Sequence, residues 1–179
     1  MKLEPLNNQP IIRAERFEMR PLRASDAGLL TLYAGDARVA RNTASIPHPL
    51  PPGAEEAFIE RAAMPDRTSD VWALDGSGAG LSELLGVIAL TRLDRGQSEV
   101  GYWVAPACWR IGIASEALDA LVAANPHGAR TLFGTVFQDN DASAKVLTHA
   151  GFEYIGDAEV YCVSRGHKVP TWTYLRKLD

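Results

Sequence analysis

The stretch Val104-Ala-Pro-Ala-Cys-Trp109-Arg-Ile-Gly112-Ile-Ala-Ser-Glu-Ala117 joins two different periodicities. Before it, Glu99 to Val104 alternates as a half-buried strand does. After it, Ala114, Ala117, Leu118, Leu121 and Val122 recur at the spacing of a helix packed on a sheet. A strand that runs straight into a helix leaves backbone N–H groups unpaired and presents the positive end of the helix dipole. Gly112 and the small Ala114 let an anion approach that backbone closely, so the junction suits a pyrophosphate. The alternative reading is a glycine that only eases a tight turn. Neither a Walker A sequence nor G-x-G-x-x-G is present, which removes the usual support for nucleotide hydrolysis and dinucleotide binding.

Working outward, the helix after Gly112 ends at Asn125-Pro126, and the β-branched and aromatic run Thr131 to Phe137 predicts the next strand. A helix over Ala142 to Ala150 closes at Gly151, and Glu159 to Val163 with Thr171 to Leu175 predicts a hairpin around Arg165 to Lys168. Pro170 implies an edge position or a bulge there. Toward the N-terminus, Val71 to Asp75, Leu84 to Thr91 and Glu99 to Val104 read as an antiparallel meander. Amphipathic helices precede it, one ending at Gly35 and one running from Glu55 to Pro65. The first strand is expected near Phe17, with residues 1–12 a loosely ordered arm. The sum is a mixed α/β (α+β) fold, one domain spanning 1–179, with about seven mostly antiparallel strands and helices on both faces.

Composition sets the outer limits. A chain of 179 residues with 46% hydrophobic and 22% charged residues has ordinary globular balance and can bury a real core. Its net charge of −4 argues against duplex nucleic acid as a partner. The longest uncharged stretch, Asn42 to Ala54, is broken by four prolines, so no membrane helix is expected. Cys108 and Cys162 have no metal-type spacing, and the scattered histidines form no ligand set, so no metal is expected and a reducing cytoplasm is.

The runs Glu99-Val-Gly-Tyr-Trp-Val-Ala-Pro106, Trp109-Arg-Ile-Gly-Ile-Ala-Ser-Glu-Ala-Leu118, Asn140-Asp-Ala-Ser143 and Ala150-Gly-Phe-Glu153 stand in an order and spacing that resembles the GNAT superfamily of acetyl-CoA-dependent N-acetyltransferases, in particular its RimJ/RimL-type branch. The opening Arg20-Pro-Leu-Arg-Ala-Ser-Asp-Ala27 and the loop Ile46-Pro-His-Pro49 extend the likeness to most of the chain. One position departs from the pattern: Trp109 stands where the superfamily has Gln or Arg. The resemblance implies a sheet splayed open between the strand ending at Val104 and the strand Thr131 to Phe137, with acetyl-CoA in the gap. It implies cofactor contacts from Tyr102, Trp103 and Val104, from Trp109, Arg110, Ile111, Gly112, Ile113, Ala114 and Ser115, and from Asn140 and Ser143.

Acetyl transfer needs a neutral amine, a polarised thioester carbonyl and a proton for the departing thiolate. Glu99 is the candidate base, with an exposed strand-end carboxylate as the alternative. Ser143 matches the family position that protonates the thiolate, although Asn140 and Ser143 are also residue types that cap helices. Tyr102 and Tyr154 are alternative acids, or core tyrosines. An N-terminal α-amine has a pKa near 7.7 to 8, so about a tenth is neutral at pH 7 and only a weak base is needed. The expected activity is therefore transfer to a primary amine, with a protein or peptide N-terminus preferred by the branch resemblance and a homodimer possible. Two rivals stand beside it, an acetyltransferase for small amines and a CoA-binding sensor without turnover.

Overall fold

The computed structural model describes residues 9–178. One eight-stranded sheet organises them, in the order β1 (Ile12–Arg13), β2 (Glu18–Pro21), β3 (Ser69–Asp75), β4 (Gly86–Arg92), β5 (Gln97–Val104), β6 (Thr131–Phe137), β8 (His167–Lys177), β7 (Glu153–Cys162). Every neighbouring pair is antiparallel except β5 and β6, which run parallel. The strand missing from the expected seven is β1. Ile12 and Arg13 pair with Met19 and Glu18, too short a run for any periodicity to reveal. The chain is therefore tied down earlier than Phe17. The Gln9 side chain donates to the Val71 carbonyl at 2.7 Å, and Trp72 Nε1 donates to the Pro10 carbonyl at 2.8 Å. The rest of the expected arm, residues 1–8, lies outside the described residues.

Helices cover both faces. Helices α1 (Ala27–Ala34) and α3 (Ala54–Ala62) pack Leu29, Leu30, Phe58 and Ile59 against Val71, Ala73 and Val87. On the other face α4 (Ile113–Ala124) and α5 (Asp141–His149) bury Ile113, Leu118, Leu121 and Leu147 against Met19, Trp72, Ile88, Val100, Leu132 and Val136. Burying each such side chain is worth roughly 1.5–3 kcal/mol, so this second face holds the fold together. Because side chains alternate along a strand, the odd residues of β5 and β6 belong to the α1–α3 face and the even residues to the α4–α5 face. The four-residue helix α2 (Ala37–Ala40) is capped by Asp36, which accepts from Arg38 N–H at 2.9 Å.

Two ionic arrangements fix the sheet. Arg20 on β2 is buried and donates to Asp26 at 2.8 and 2.9 Å and to Asp75 at 2.8 Å. Asp26 also accepts from Arg23 N–H within a 3₁₀ turn (Ala24–Asp26), and its carboxylate is held chiefly by Arg20. The second is a chain of three groups. Asp70 Oδ2 meets His127 Nε2 at 2.8 Å, and His127 Nδ1 meets Ser98 Oγ at 2.9 Å, all three side chains being buried or nearly so. Arg67 also donates to Asp70, and with His127 Nε2–H donating to the same carboxylate, Nδ1 is left to accept from Ser98.

Pro170 takes a different place from the edge or bulge expected of it. β8 is interior, between β6 and β7, and the β7–β8 irregularity falls at Tyr154/Gly156. The Pro170 carbonyl accepts from Gln138 N–H at 2.9 Å just past the last β6 pair, so its missing N–H falls where no ladder bond is due.

Candidate active site

The β5–β6 ladder runs from Gln97↔Thr131 to Val100↔Gly134 and then stops, although β5 continues to Val104 and β6 to Phe137. Beyond Val100 and Gly134 the two strands part, and their facing backbone groups open a wedge in the middle of the sheet. The expected splay is present. What sets it is visible at Gly134: a Cβ there would lie 2.8 Å from Leu147 Cδ2, so α5 packs directly on the strand where it diverges.

The loop after β5 ends at Gly112, whose φ of 82° makes it a left-handed N-cap for α4. Arg110 is also left-handed, at φ 64°, and exposed. The first turn of α4, Ile113 to Ser115, carries no side-chain cap, so its N–H groups face outward from the loop. Arg16 enters this site unannounced by the sequence. Its main-chain N–H and its Nε both bond to the Glu116 carboxylate, at 2.9 and 2.8 Å, and a Cβ at Gly112 would lie 3.4 Å from Arg16 Nη2. A guanidinium therefore stands against the glycine where an anion would approach, a hundred residues distant in sequence and so beyond any local pattern. Trp109, the departure from the family pattern, is half exposed. Its indole N–H donates to the Val104 carbonyl at 2.7 Å, closing the loop onto the end of β5, while the Arg38 guanidinium lies 5.6 Å from its ring centroid.

Inside the wedge, Tyr102 Oη lies 3.0 Å from Ser143 Oγ and donates to the Ser143 carbonyl at 3.3 Å, joining β5 to the first turn of α5. Burial pushes the Tyr102 phenol up to about 12 against the opposing hydrogen bond from Ser143, so it holds its proton. Asn140 is the N-cap of α5, its side-chain oxygen accepting from Ser143 N–H at 3.3 Å. Sequence left both readings of this pair open, and the structure gives the capping role to Asn140 while leaving the Ser143 hydroxyl directed to Tyr102. Tyr154, the other tyrosine considered, is 55% exposed on β7 and bonded to Asp157, so it is not a core residue.

Glu99 and Trp103 lie on the opposite, α1–α3 face of β5. Glu99 reaches solvent, yet the atoms crowding its base strip enough hydration to raise its pKa above the ordinary glutamate range. It sits at the closed end of the wedge, paired with Phe133. At the open end α2 and the β7–β8 turn meet. Cys162 Sγ contacts the Thr43 carbonyl at 3.2 Å, Val163 N–H donates to Ala44 at 2.9 Å, and a cleft of about 260 Å³ is lined by Ala37, Arg41, His48, Ser164 and Arg165.

A central parallel pair that parts beside an uncapped helix N-terminus is the arrangement expected of the acetyltransferase fold. The chain belongs to the GNAT acetyltransferase family: the model of the acetyltransferase (GNAT) domain matches residues 16–153. It is 27% identical, over 92% of its length and 95% of the other, to the uncharacterized N-acetyltransferase YoaA of Bacillus subtilis. Among solved structures it is similar in fold to the microcin C7 self-immunity acetyltransferase MccE in complex with acetyl-CoA and AMP (TM-score 0.79, 14% identity, 92% of this chain and 93% of that one). It is similar also to the Salmonella typhimurium acetyltransferase that modifies the N-terminal serine of ribosomal protein L7/L12 (TM-score 0.78, 18% identity, 95% and 100% covered). The protein is an acyltransferase. No helix among the described residues is long and apolar enough to cross a membrane.

Proposed function

We propose that this acetyltransferase acts on a primary amine, and that the α-amine of a protein or peptide N-terminus is its preferred acceptor, in the cytoplasm. The observation that carries the reading is the distribution of proton-handling groups about the wedge. Tyr102 and Ser143 share a hydrogen bond on the α4–α5 face, while Glu99 stands on the other face of the same strand. An acid for the leaving group and a base for the nucleophile are thereby kept apart, with the reacting centre between them.

Acetyl-CoA, when bound, supplies the activated thioester carbon. The backbone N–H groups of Ile113 to Ser115, with Arg16 beside Gly112, are the groups that would hold its pyrophosphate, and Trp109 substitutes a loop-closing indole for the usual Gln or Arg. Tyr102, Trp103 and Val104 on the diverging end of β5 would face its pantetheine arm, the N–H groups of Tyr102 and Val104 being available on the side where β6 no longer pairs. Ser143 Oγ–H gives its proton to the departing sulfur and recovers one, relayed through the Tyr102 hydroxyl with no net loss from the phenol, from the nitrogen, which sheds its second proton as the amide forms. Glu99 takes a proton from the incoming ammonium, directly or through water. The N-terminal preference is supported by the fold likeness to an enzyme that modifies an N-terminal serine, and by the modest demand such an amine makes on its base. The free thiols of Cys108 and Cys162 support a reducing compartment. A homodimer is part of the proposal, because the outermost strand β7 exposes Tyr154, Ile155 and Tyr161.

A thiol-release assay with acetyl-CoA over a panel of peptides and small amines tests the reading. Peptide N-termini should raise turnover above hydrolysis, and Ser143→Ala and Glu99→Gln should lower kcat. Turnover with small amines alone would move the acceptor to that class. CoA binding with no acceptor active would reduce the protein to a sensor. A loss confined to KM for acetyl-CoA would remove both residues from the chemistry.

A further inference from the structure

We infer that the acceptor of this enzyme carries an anionic group, carboxylate or phosphate, beside its amine, and that the cleft between Arg41, His48 and Arg165 receives it; the inference rests on the acetyl-transfer reading above. The argument begins with where the cleft lies. Arg38, in α2, stacks on Trp109, which follows β5, and Arg41, at the end of α2, stands 3.7 Å from Asp139, which follows β6. Helix α2 therefore bridges the open end of the wedge from one strand to the other. Arg165, in the β7–β8 turn, lies 5.0 Å over the ring of Phe137, the last residue of β6. Phe137 shares its sheet face with Phe133 and hence with Glu99, so the cleft opens on the side of the candidate base.

Its charge is the second observation. Arg165 donates to Asp139 at 2.6 and 3.1 Å, and Arg41 approaches the same carboxylate, so one acid serves two guanidinium groups. Arg38 is already matched by Asp36. One positive charge is left over at the mouth, in a chain whose net charge is −4, and the Arg41 side chain is 59% exposed and free to turn toward a ligand. Arg165 is held in place, its Nε donating to the Arg41 carbonyl at 2.9 Å and its side chain only 14% exposed. With Arg165 engaged by Asp139 and the Arg41 carbonyl, the partner for a ligand is the Arg41 guanidinium, a group that binds carboxylates and phosphates with geometric selectivity.

The third observation is a hydroxyl. Thr171 Oγ1, on β8 directly opposite Phe137, is the buried side-chain polar atom without a hydrogen-bond partner among the described residues. A buried orphan hydroxyl is uncommon and calls for a partner. It lies on the Phe137 face of the sheet, the face on which the cleft opens.

The test uses C-terminally amidated peptides in matched pairs, Glu against Gln and phosphoserine against serine at the second and third residues, with kcat/KM measured for the wild type and Arg41→Gln. The anionic member of a pair should be favoured at least about tenfold at low salt, with the ratio falling toward one in Arg41→Gln and as salt rises. The Glu and phosphoserine arms separate the two anion sources. Calorimetric binding of the corresponding N-acetylated peptides runs in parallel. If no peptide is turned over, the acceptor reading fails, while preferential binding of the anionic members, lost in Arg41→Gln, still supports the cleft. Equal kcat/KM or equal binding within every pair, or a wild-type preference indifferent to salt, overturns the inference and leaves the acetyltransferase intact. Arg165 is anchored by the Arg41 main-chain carbonyl, which Arg41→Gln retains, and the wild-type salt series decides the matter even if the variant folds poorly.

Discussion

Replacing Arg20 with Met puts the buried ionic cluster to a quantitative test. The guanidinium makes three bonds of 2.8 to 2.9 Å to Asp26 and Asp75, and the three side chains are 7%, 1% and 8% exposed. Without it, Asp75 keeps Arg23 and the Ser77 amide, but Asp26 keeps only the Arg23 amide and becomes a buried carboxylate with no cation. Breaking one side of such a pair costs about 3–5 kcal/mol, which for a chain of this size lowers Tm by roughly 10 °C. The pH dependence adds a second check. Burial raises the Asp75 pKa, and the bonds from Arg20 and Ser77 outweigh it, holding it at about 2 against an ordinary value of 3.8. A depressed acid contributes stability that is complete above its unfolded pKa and is lost as pH falls toward the folded one. That contribution is about 2 kcal/mol at neutral pH, with about 1 kcal/mol of it gone by pH 3. The measurement is urea unfolding of both proteins from pH 7 down to pH 3, and the gap between them should be about 3–5 kcal/mol at pH 7 and should narrow in acid. A gap under 1 kcal/mol at pH 7, or one that stays constant to pH 3, would refute the reasoning.

Other expectations are more local. Tyr102→Phe removes the hydrogen bond to Ser143 and should lower kcat by about 10²-fold with little change in CoA affinity, read by steady-state kinetics and CoA-induced thermal shift. Because burial raises the Glu99 pKa, the acid limb of kcat/KM should lie above pH 4.5, the ordinary value, and should disappear in Glu99→Gln. Gly134→Ala should push Leu147 and α5 outward, costing about 1–3 kcal/mol and disturbing the Tyr102–Ser143 contact, with the loss seen in both Tm and kcat. His127 is depressed by burial, against the bond from Asp70, so its share of stability is complete above pH 6.5 and is lost as pH falls below it. Denaturation of His127→Gln should therefore show a flatter pH profile than the wild type in that window.

Much of the fold was legible because its elements advertise themselves locally. Thr131 to Phe137 was bounded correctly by its β-branched and aromatic run, and α4 by its stripe and by Asn125, whose left-handed conformation stops it. The elements that escaped are those too short to show a period, β1 with two residues and α2 with four. The site divides in the same way. Glu99, Gly112 and Ser143 were visible as residue types at the ends of periodic segments. The contacts that give them meaning, Tyr102 with Ser143 and Arg16 with Glu116 beside Gly112, join residues 41 and 100 positions apart, and no local pattern encodes them. Arg41 and Arg165 were invisible for a further reason: their loops carry no periodicity, and only folding brings α2 over the end of β6.

The parallel ladder of β5 and β6, from Gln97↔Thr131 to Val100↔Gly134, has a mechanical consequence. It is the seam at which the sheet's two arms, β1 to β5 and β6 to β8, are stitched, and the Ser98–His127–Asp70 chain rivets β3, β5 and the loop leading into β6 just behind it. Any widening or narrowing of the wedge is then a lever motion about Val100 and Gly134, with α2 acting as a strut between the lever tips. Small shifts at the riveted end translate into large ones at Trp109 and Phe137, where cofactor and acceptor would meet the protein.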